Sequence, residues 1–331
     1  MNAKKNTTLE LLKLFASYMV IFIHVLFYGR LGIVFDTLAR FAVPLFFLIS
    51  GFYSYQITPE KLKKRTLNIL TLLILATVCY TIFNIAPLLL KGNIDKVVLH
   101  FSKYIDFTTL SILFILNVPV SSVHLWYLFA MLYVYVVFYF VMMLRFSEKV
   151  ISIISCSLLF LHILLGECFS AFGIDLPAPI VRNFALMGIP FFGLGLLVKK
   201  YEAKLHNIPN YILFISVIVG IAASLLSRYL FGKNELYIGS LFILFAMVCA
   251  FIKYPFAQYP RFFTALEGCS TYIYIFHIAI SSTLIKIYAL FGINTNSSVI
   301  LKNAHPILVC VVSTIFAFCI TQFIKKIQRK K

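Results

Sequence analysis

Apolar residues come in long blocks along this chain, and most of the basic residues lie between them. A helix needs about 20 mostly apolar residues to cross a bilayer. Ten stretches meet or approach that length: 9–28, 31–55, 67–89, 124–144, 150–165, 181–198, 211–230, 236–252, 270–291 and 307–324. The fifth and eighth are the shortest. The pattern predicts an all-α, polytopic integral membrane protein of about ten transmembrane helices. It predicts one membrane domain over residues 1–331, with no internal repeat and no appended soluble domain.

Composition agrees with the pattern. Hydrophobic residues make up 62% and charged residues 12%, with a mean hydropathy of +0.97. Soluble domains carry about a quarter charged residues. The formal charge of +18 invites a nucleic-acid reading, but such proteins gather their cations on a water-exposed face, whereas here they sit between apolar blocks. No nucleic-acid partner is expected. Membrane lipid is.

The same charges set an orientation. Lys4 and Lys5, the loops around 61–65, 145–149, 199–204 and 253–261, and the tail 325–331 hold 18 basic residues, and the alternate loops hold seven. The positive-inside rule then places both termini in the cytoplasm. Lys4 and Lys5 ahead of an apolar stretch imitate a signal peptide, but Lys13 interrupts that stretch and no small-residue cleavage site follows, so the segment is expected to stay as the first helix. The longest connection, 91–123, becomes extracytoplasmic. Its apolar stretch 110–120 is too short to span, so it either dips into the membrane or covers a cavity. The seven cysteines form no CxxC and mostly lie in or beside apolar runs, which supports neither a metal site nor a disulfide framework.

Ionisable residues inside apolar blocks are costly to bury and point to function by default. His24 and Lys13 lie eleven residues apart in the first block. That spacing is three helical turns plus about 20°, so both leave one face about 16 Å apart along the axis. A cation near the cytoplasm can hold phosphates, and an imidazole deeper in can act as a general base. The structural alternative has Lys13 snorkelling to the interface and His24 bonding a neighbouring helix. In the second block, Asp36 and Arg40 are neighbours on one helix face. They form either an internal ion pair or a cation available to an oxyanion or an acidic substrate group. Pro44 deprives one carbonyl of its partner and can kink this helix, and Ser50-Gly51 permits close packing.

Glu10-Leu-Leu-Lys13 followed by His24 resembles the first-helix motif of the acyltransferase-3 family of integral membrane acyltransferases. In that family an arginine usually stands eleven residues before the histidine. Lys13 keeps the charge without the planar fork of a guanidinium. The run from Pro44 to Phe52 resembles the family's second-helix pattern. So do His124-Leu-Trp126-Tyr127, Arg182-Asn183-Phe184 leading to Pro190-Phe-Phe-Gly193-Leu-Gly195, and Tyr272-Ile-Tyr274-Ile-Phe-His277 resemble further family signatures. The form most resembles stand-alone surface-glycan O-acyltransferases.

The resemblance implies transfer of an acyl group, most often acetyl, from cytoplasmic acetyl-CoA or another acyl-CoA to a hydroxyl of an extracytoplasmic or lipid-linked glycan. It implies no tightly bound cofactor and no metal, and a multi-pass location in a bacterial plasma membrane. On this reading His24 and Arg40 are catalytic, and Lys13 and Glu10 serve the donor. His124, Trp126, Tyr127, Arg182 and His277 bind the acceptor or support the core. His124, Trp126 and Tyr127 also suit an interfacial aromatic belt, and Arg182 suits a helix anchor. Direct attack and an acyl-histidine intermediate both remain open. The rivals are a transporter exporting an acyl compound or glycan precursor, and a structural membrane subunit.

Overall fold

The structure, a computed structural model, describes residues 7–254, 263, 265–293 and 298–328. Lys4, Lys5, Arg261 and the last three residues, all used above for orientation, lie outside the described residues. Among the described residues there is no strand. The helices used below are α1 Thr7–His24, α2 Arg30–Phe52, α3 Pro59–Leu90, α4 Ile94–Ser102, α5 Phe107–Leu116, α6 Val123–Met143, α7 Glu148–Ala171, α8 184–200, α9 Asn210–Phe231, α10 Ile238–Lys253, α11 Cys269–Leu290 and α12 Val299–Gln328.

All ten apolar stretches fall on helices. Among the described residues, seven helices (α2, α3, α6, α7, α9, α11 and α12) are long and apolar enough to cross a membrane, and the pair α4 and α5, bent by 53°, makes an eighth if it is one broken span. Residues 110–116 of the apolar segment therefore belong to a bent helical pair, and 117–120 lie beyond its end. The other three stretches are helical but shorter or irregular. α1 stops at His24 after 18 residues, short of the expected Tyr28, and α10 has 16 residues. α8 opens on a π-helical turn, Phe184–Gly188.

Local sequence explains the ends. Gly29, at φ 66°, starts α2, and Gly32 sits so close to the Phe27 carbonyl that a Cβ would collide with it. Only glycines let the chain turn back this tightly. The α2 helix narrows to a 3-10 turn at Ala39–Phe41. Pro44 has no N–H for the carbonyl four residues back, that of Arg40, and the narrowing falls there. Thr58 caps α3, its side chain accepting from Lys61 N at 3.4 Å, with Pro59 at the first helical position.

The chain divides into two compact units, one of residues 1–46 and 201–331 and one of residues 47–200. In the first, α1 packs on α11 and on the start of α2, α9 packs on α10, and α11 on α12. Its core joins Leu14, Ile21 and Val25 of α1 and the following turn to Cys269, Ile273, Val309 and Ala317. In the second, α3 packs on α6 and α7 on α8. Residues 47–52 cross α8 at close range: a Cβ on Gly51 would strike the Phe192 carbonyl, and one on Gly195 the Leu48 carbonyl. The apolar stretch of α2 is 72% buried against 17% for α3, α7 and α9, as for an interior helix among lipid-facing ones.

Candidate active site

Four polar residues of α1 fall at helical spacing among buried Leu9, Leu12, Ala16, Val20 and Ile21. Glu10, with a side chain 4% exposed, holds the Lys13 ammonium at 2.7 Å. The lysine thus carries its own counter-charge three residues away. Ser17 returns its hydroxyl to the Leu14 carbonyl at 2.7 Å. His24 is the last residue of the helix and is exposed.

The His24 ring lies against His277 of α11, with centroids 5.3 Å apart and planes tilted by 40°. His277 is fully buried. Its Nδ1 is 2.7 Å from the Tyr274 carbonyl oxygen, which can only accept, so Nδ1 carries the hydrogen. One turn further along α11, Ser281 Oγ is 3.0 Å from His305 Nε2 of α12. A polar strip thus runs up this side of the first unit. On the opposite face of α1, Phe15, Tyr18, Met19 and Phe22 line an apolar groove of about 680 Å³ against α12, crossed by a Tyr18–Thr314 hydroxyl bond of 2.8 Å. Eleven residues bring Lys13 and His24 to one side of α1, and the groove residues occupy the other.

Arg40 sits in the 3-10 turn of α2 and is 4% exposed. It bonds Asp36, as its spacing predicts, and its Nη1 also donates to Glu235 at 3.0 Å, while Nε donates to the Asp36 carbonyl at 3.3 Å. Lys233 approaches the second Asp36 oxygen at 3.7 Å. The guanidinium is therefore engaged on two carboxylates and a carbonyl, an arrangement that satisfies a buried charge from within the protein.

The remaining sequence-derived residues lie in the second unit. His124 is buried, its Nδ1 2.8 Å from Ser122 Oγ and its ring edge-on to Tyr80 at 4.9 Å. Trp126 is 4% exposed. A lipid-facing belt residue would be open, and both of these are buried. Phe47 packs between Trp126 and Tyr127, with centroids at 6.3 and 4.9 Å. The Arg182 guanidinium carbon stands 5.4 Å from the Trp126 ring centroid, within cation–π range. Arg182 is set by its neighbour. Asn183 accepts from Ala185 N and Leu186 N, both at 2.9 Å, and donates to the Pro179 and Ile180 carbonyls. Asn117, buried at φ 58°, accepts from Phe184 N at 2.9 Å.

Sequence reasoning missed Glu235, Lys233, Ser281 and His305. An intramembrane arginine needs acids, and a chain with 11 acidic residues offers few candidates. That scarcity was the available signal for Glu235. Ser281, four residues after His277, was readable as the next position on its face.

The acyltransferase-3 family model, described as an acyltransferase domain, matches residues 6–323 and so runs through both units. No curated protein and no solved structure matches the chain.

Proposed function

This chain belongs to the acyltransferase-3 family and is a multi-pass membrane acyltransferase, and from that premise we propose that it moves an acyl group, acetyl first, from an acyl-CoA on the cytoplasmic side to a hydroxyl of an extracytoplasmic or lipid-linked glycan in a bacterial plasma membrane. The observation that carries this reading is the accessible His24 ring at the end of α1, backed at 5.3 Å by buried His277. In this reading the His24 imidazole takes the hydroxyl proton as the acceptor oxygen attacks the thioester carbonyl. The C–S bond then breaks, the thiolate leaves and recovers that proton from the imidazolium, and the products are an ester and free coenzyme A.

His277 positions the catalytic ring. Lys13, about three turns away on the same face, bears on the donor phosphates while Glu10 fixes its ammonium. Arg40 stays on its carboxylates in this reading and holds the α2 turn. In the second unit, His124, Trp126, Tyr127 and Arg182 are assigned to the acceptor, since aromatic faces with a few fixed polar groups make an orienting site.

The test is coenzyme A release from acetyl-CoA by the purified protein in lipid, with and without a surface-glycan extract as acceptor. Release is expected only with acceptor. His24→Ala should lower the rate at least about 100-fold, the low end of a general base's contribution, with unchanged thermal unfolding. A full rate in His24→Ala refutes the assignment. Movement of label across vesicles without thioester cleavage would indicate a transporter instead.

A further inference from the structure

We propose that the His24 end of the first unit selects an anionic glycan, one carrying carboxylate or phosphate groups, as the acyl acceptor. This rests on the reading of His24 as the acyl-transfer base, and it names the chemistry of the acceptor.

Several helix ends meet there. α1 ends at His24 and α2 begins at Arg30, α9 ends beyond Arg228 and leads to Lys233, α11 ends beyond Lys286 and α12 begins before Lys302. Contacts tie these ends together. Tyr28 N donates to Asn303 Oδ1 at 2.8 Å, and the Lys302 ammonium stands 4.5 Å from the centre of the Tyr28 ring, four residues beyond His24. Lys233 reaches Asp36 at 3.7 Å, and Arg40 reaches Glu235 at 3.0 Å.

The charge of this end is one-sided. The segments 24–40, 228–238 and 281–305 hold six cations, Arg30, Arg40, Arg228, Lys233, Lys286 and Lys302, against two carboxylates, Asp36 and Glu235. Both carboxylates are bound to Arg40, and Asp36 also faces Lys233, so the four-charge excess rests on Arg30, Arg228, Lys286 and Lys302. Arg30, Lys233 and Lys286 are exposed, and Arg228 and Lys302 are half-buried.

Arg228 supplies an independent sign. It makes no ion pair among the described residues, and its Nη1 is buried without a hydrogen-bond partner. Buried donors are almost always satisfied, so an orphaned guanidinium N–H calls for an acceptor that a ligand oxygen can supply. The orientation expected from the charge distribution makes this end extracytoplasmic, where lysine and arginine are normally depleted. Membrane insertion therefore does not account for the cluster. A positive rim around a reaction centre raises the local concentration of anionic substrates and turns away cationic ones.

The experiment measures binding, so it stands apart from activity. The protein is placed in discs of zwitterionic phosphatidylcholine and titrated calorimetrically with trigalacturonate and with its methyl ester, which keeps the ring hydroxyls and loses the charge. The acid should bind at least about tenfold more tightly near 50 mM salt, and the advantage should shrink at about 300 mM, as screening requires. Arg228→Gln/Lys302→Gln should remove most of it. The exposed pair Arg30→Gln/Lys286→Gln should reduce it at least about threefold.

Equal binding of acid and ester, no binding of either, or a preference unchanged in both double variants overturns the proposal. So does phosphatidylglycerol in the disc stabilising the wild type and not the variants while trigalacturonate stays unbound, since the rim then serves lipid headgroups. If charge-selective binding is present but coenzyme A is never released, the acyl-transfer reading fails while the anion selectivity stands. Transfer to neutral glycans without charge-selective binding overturns the anion selectivity and leaves acyl transfer standing.

Discussion

Removing the carboxylates around Arg40 one at a time should cost unequal amounts. Arg40 and Asp36 have side chains 4% and 3% exposed, and Glu235 is 15% exposed. Asp36 bonds Arg40 and also faces Lys233. Asp36→Asn therefore takes counter-charge from two cations, one of them buried, and should cost about 3–5 kcal/mol, the range for breaking a buried pair. Glu235→Gln keeps the Asp36 bond and an oxygen able to accept from Nη1. It loses mainly the charge of one hydrogen bond at a partly open site, so about 1–2 kcal/mol is expected. Arg40→Met added to Asp36→Asn/Glu235→Gln removes the buried charge itself and should recover at least about 1 kcal/mol relative to the charge-stranded double variant. Equilibrium unfolding in bicelles by steric trapping measures each value. Equal costs for Asp36→Asn and Glu235→Gln, or no recovery on removing Arg40, would refute the idea that the acids are there to neutralise the guanidinium.

Other perturbations separate packing from chemistry. Gly51→Ala drives a methyl into the Phe192 carbonyl and should cost about 3 kcal/mol or more; Gly166→Ala, with open space around it, should stay within about 0.5 kcal/mol by the same assay. Asn183→Ala removes the cap of the π turn and both donated bonds, so a loss of at least about 1 kcal/mol is expected, together with a raised KM for acceptor because Arg182 adjoins it. Lys13→Gln should raise the KM for acyl-CoA at least about fivefold and flatten its salt dependence with little effect on kcat, whereas Lys13→Arg should retain donor binding. His277→Ala should lower kcat about tenfold or more, and His277→Asn, whose amide can still donate to the Tyr274 carbonyl, should recover part of it; equal losses in the two variants would deny a positioning role.

The sequence was most readable where physics acts locally. Bilayer thickness demands long apolar runs, so the helices could be drawn from hydropathy alone, and the i,i+4 rule paired Asp36 with Arg40 from their spacing. The ends were less readable. The block 9–28 looks uniformly apolar, yet α1 stops at His24 because Gly29 and Gly32 reverse the chain, a matter of backbone conformation that hydropathy does not encode. Trp126 and His124 read equally as belt or binding residues because both settings favour aromatic residues near an interface, and their burial is not encoded in hydropathy.

Partners distant in sequence were hidden for another reason. Glu235 lies 195 positions from Arg40, and neither helix periodicity nor loop charge links them. His24 and His277 were each singled out, the first by spacing and the second by a motif, but nothing in either block says that their rings meet. In the proposed function, that meeting is what gives His24 a use. An imidazole ending a helix in open space is ordinary, while this one packs on a buried second ring whose own Nδ1–H is fixed by a backbone carbonyl. Orientation is what a general base needs, because its contribution depends on the lone pair facing the hydroxyl when the carbonyl is attacked. On the proposed mechanism, the buried neighbour limits how far the His24 ring can swing between taking the proton from one substrate and returning it to the other.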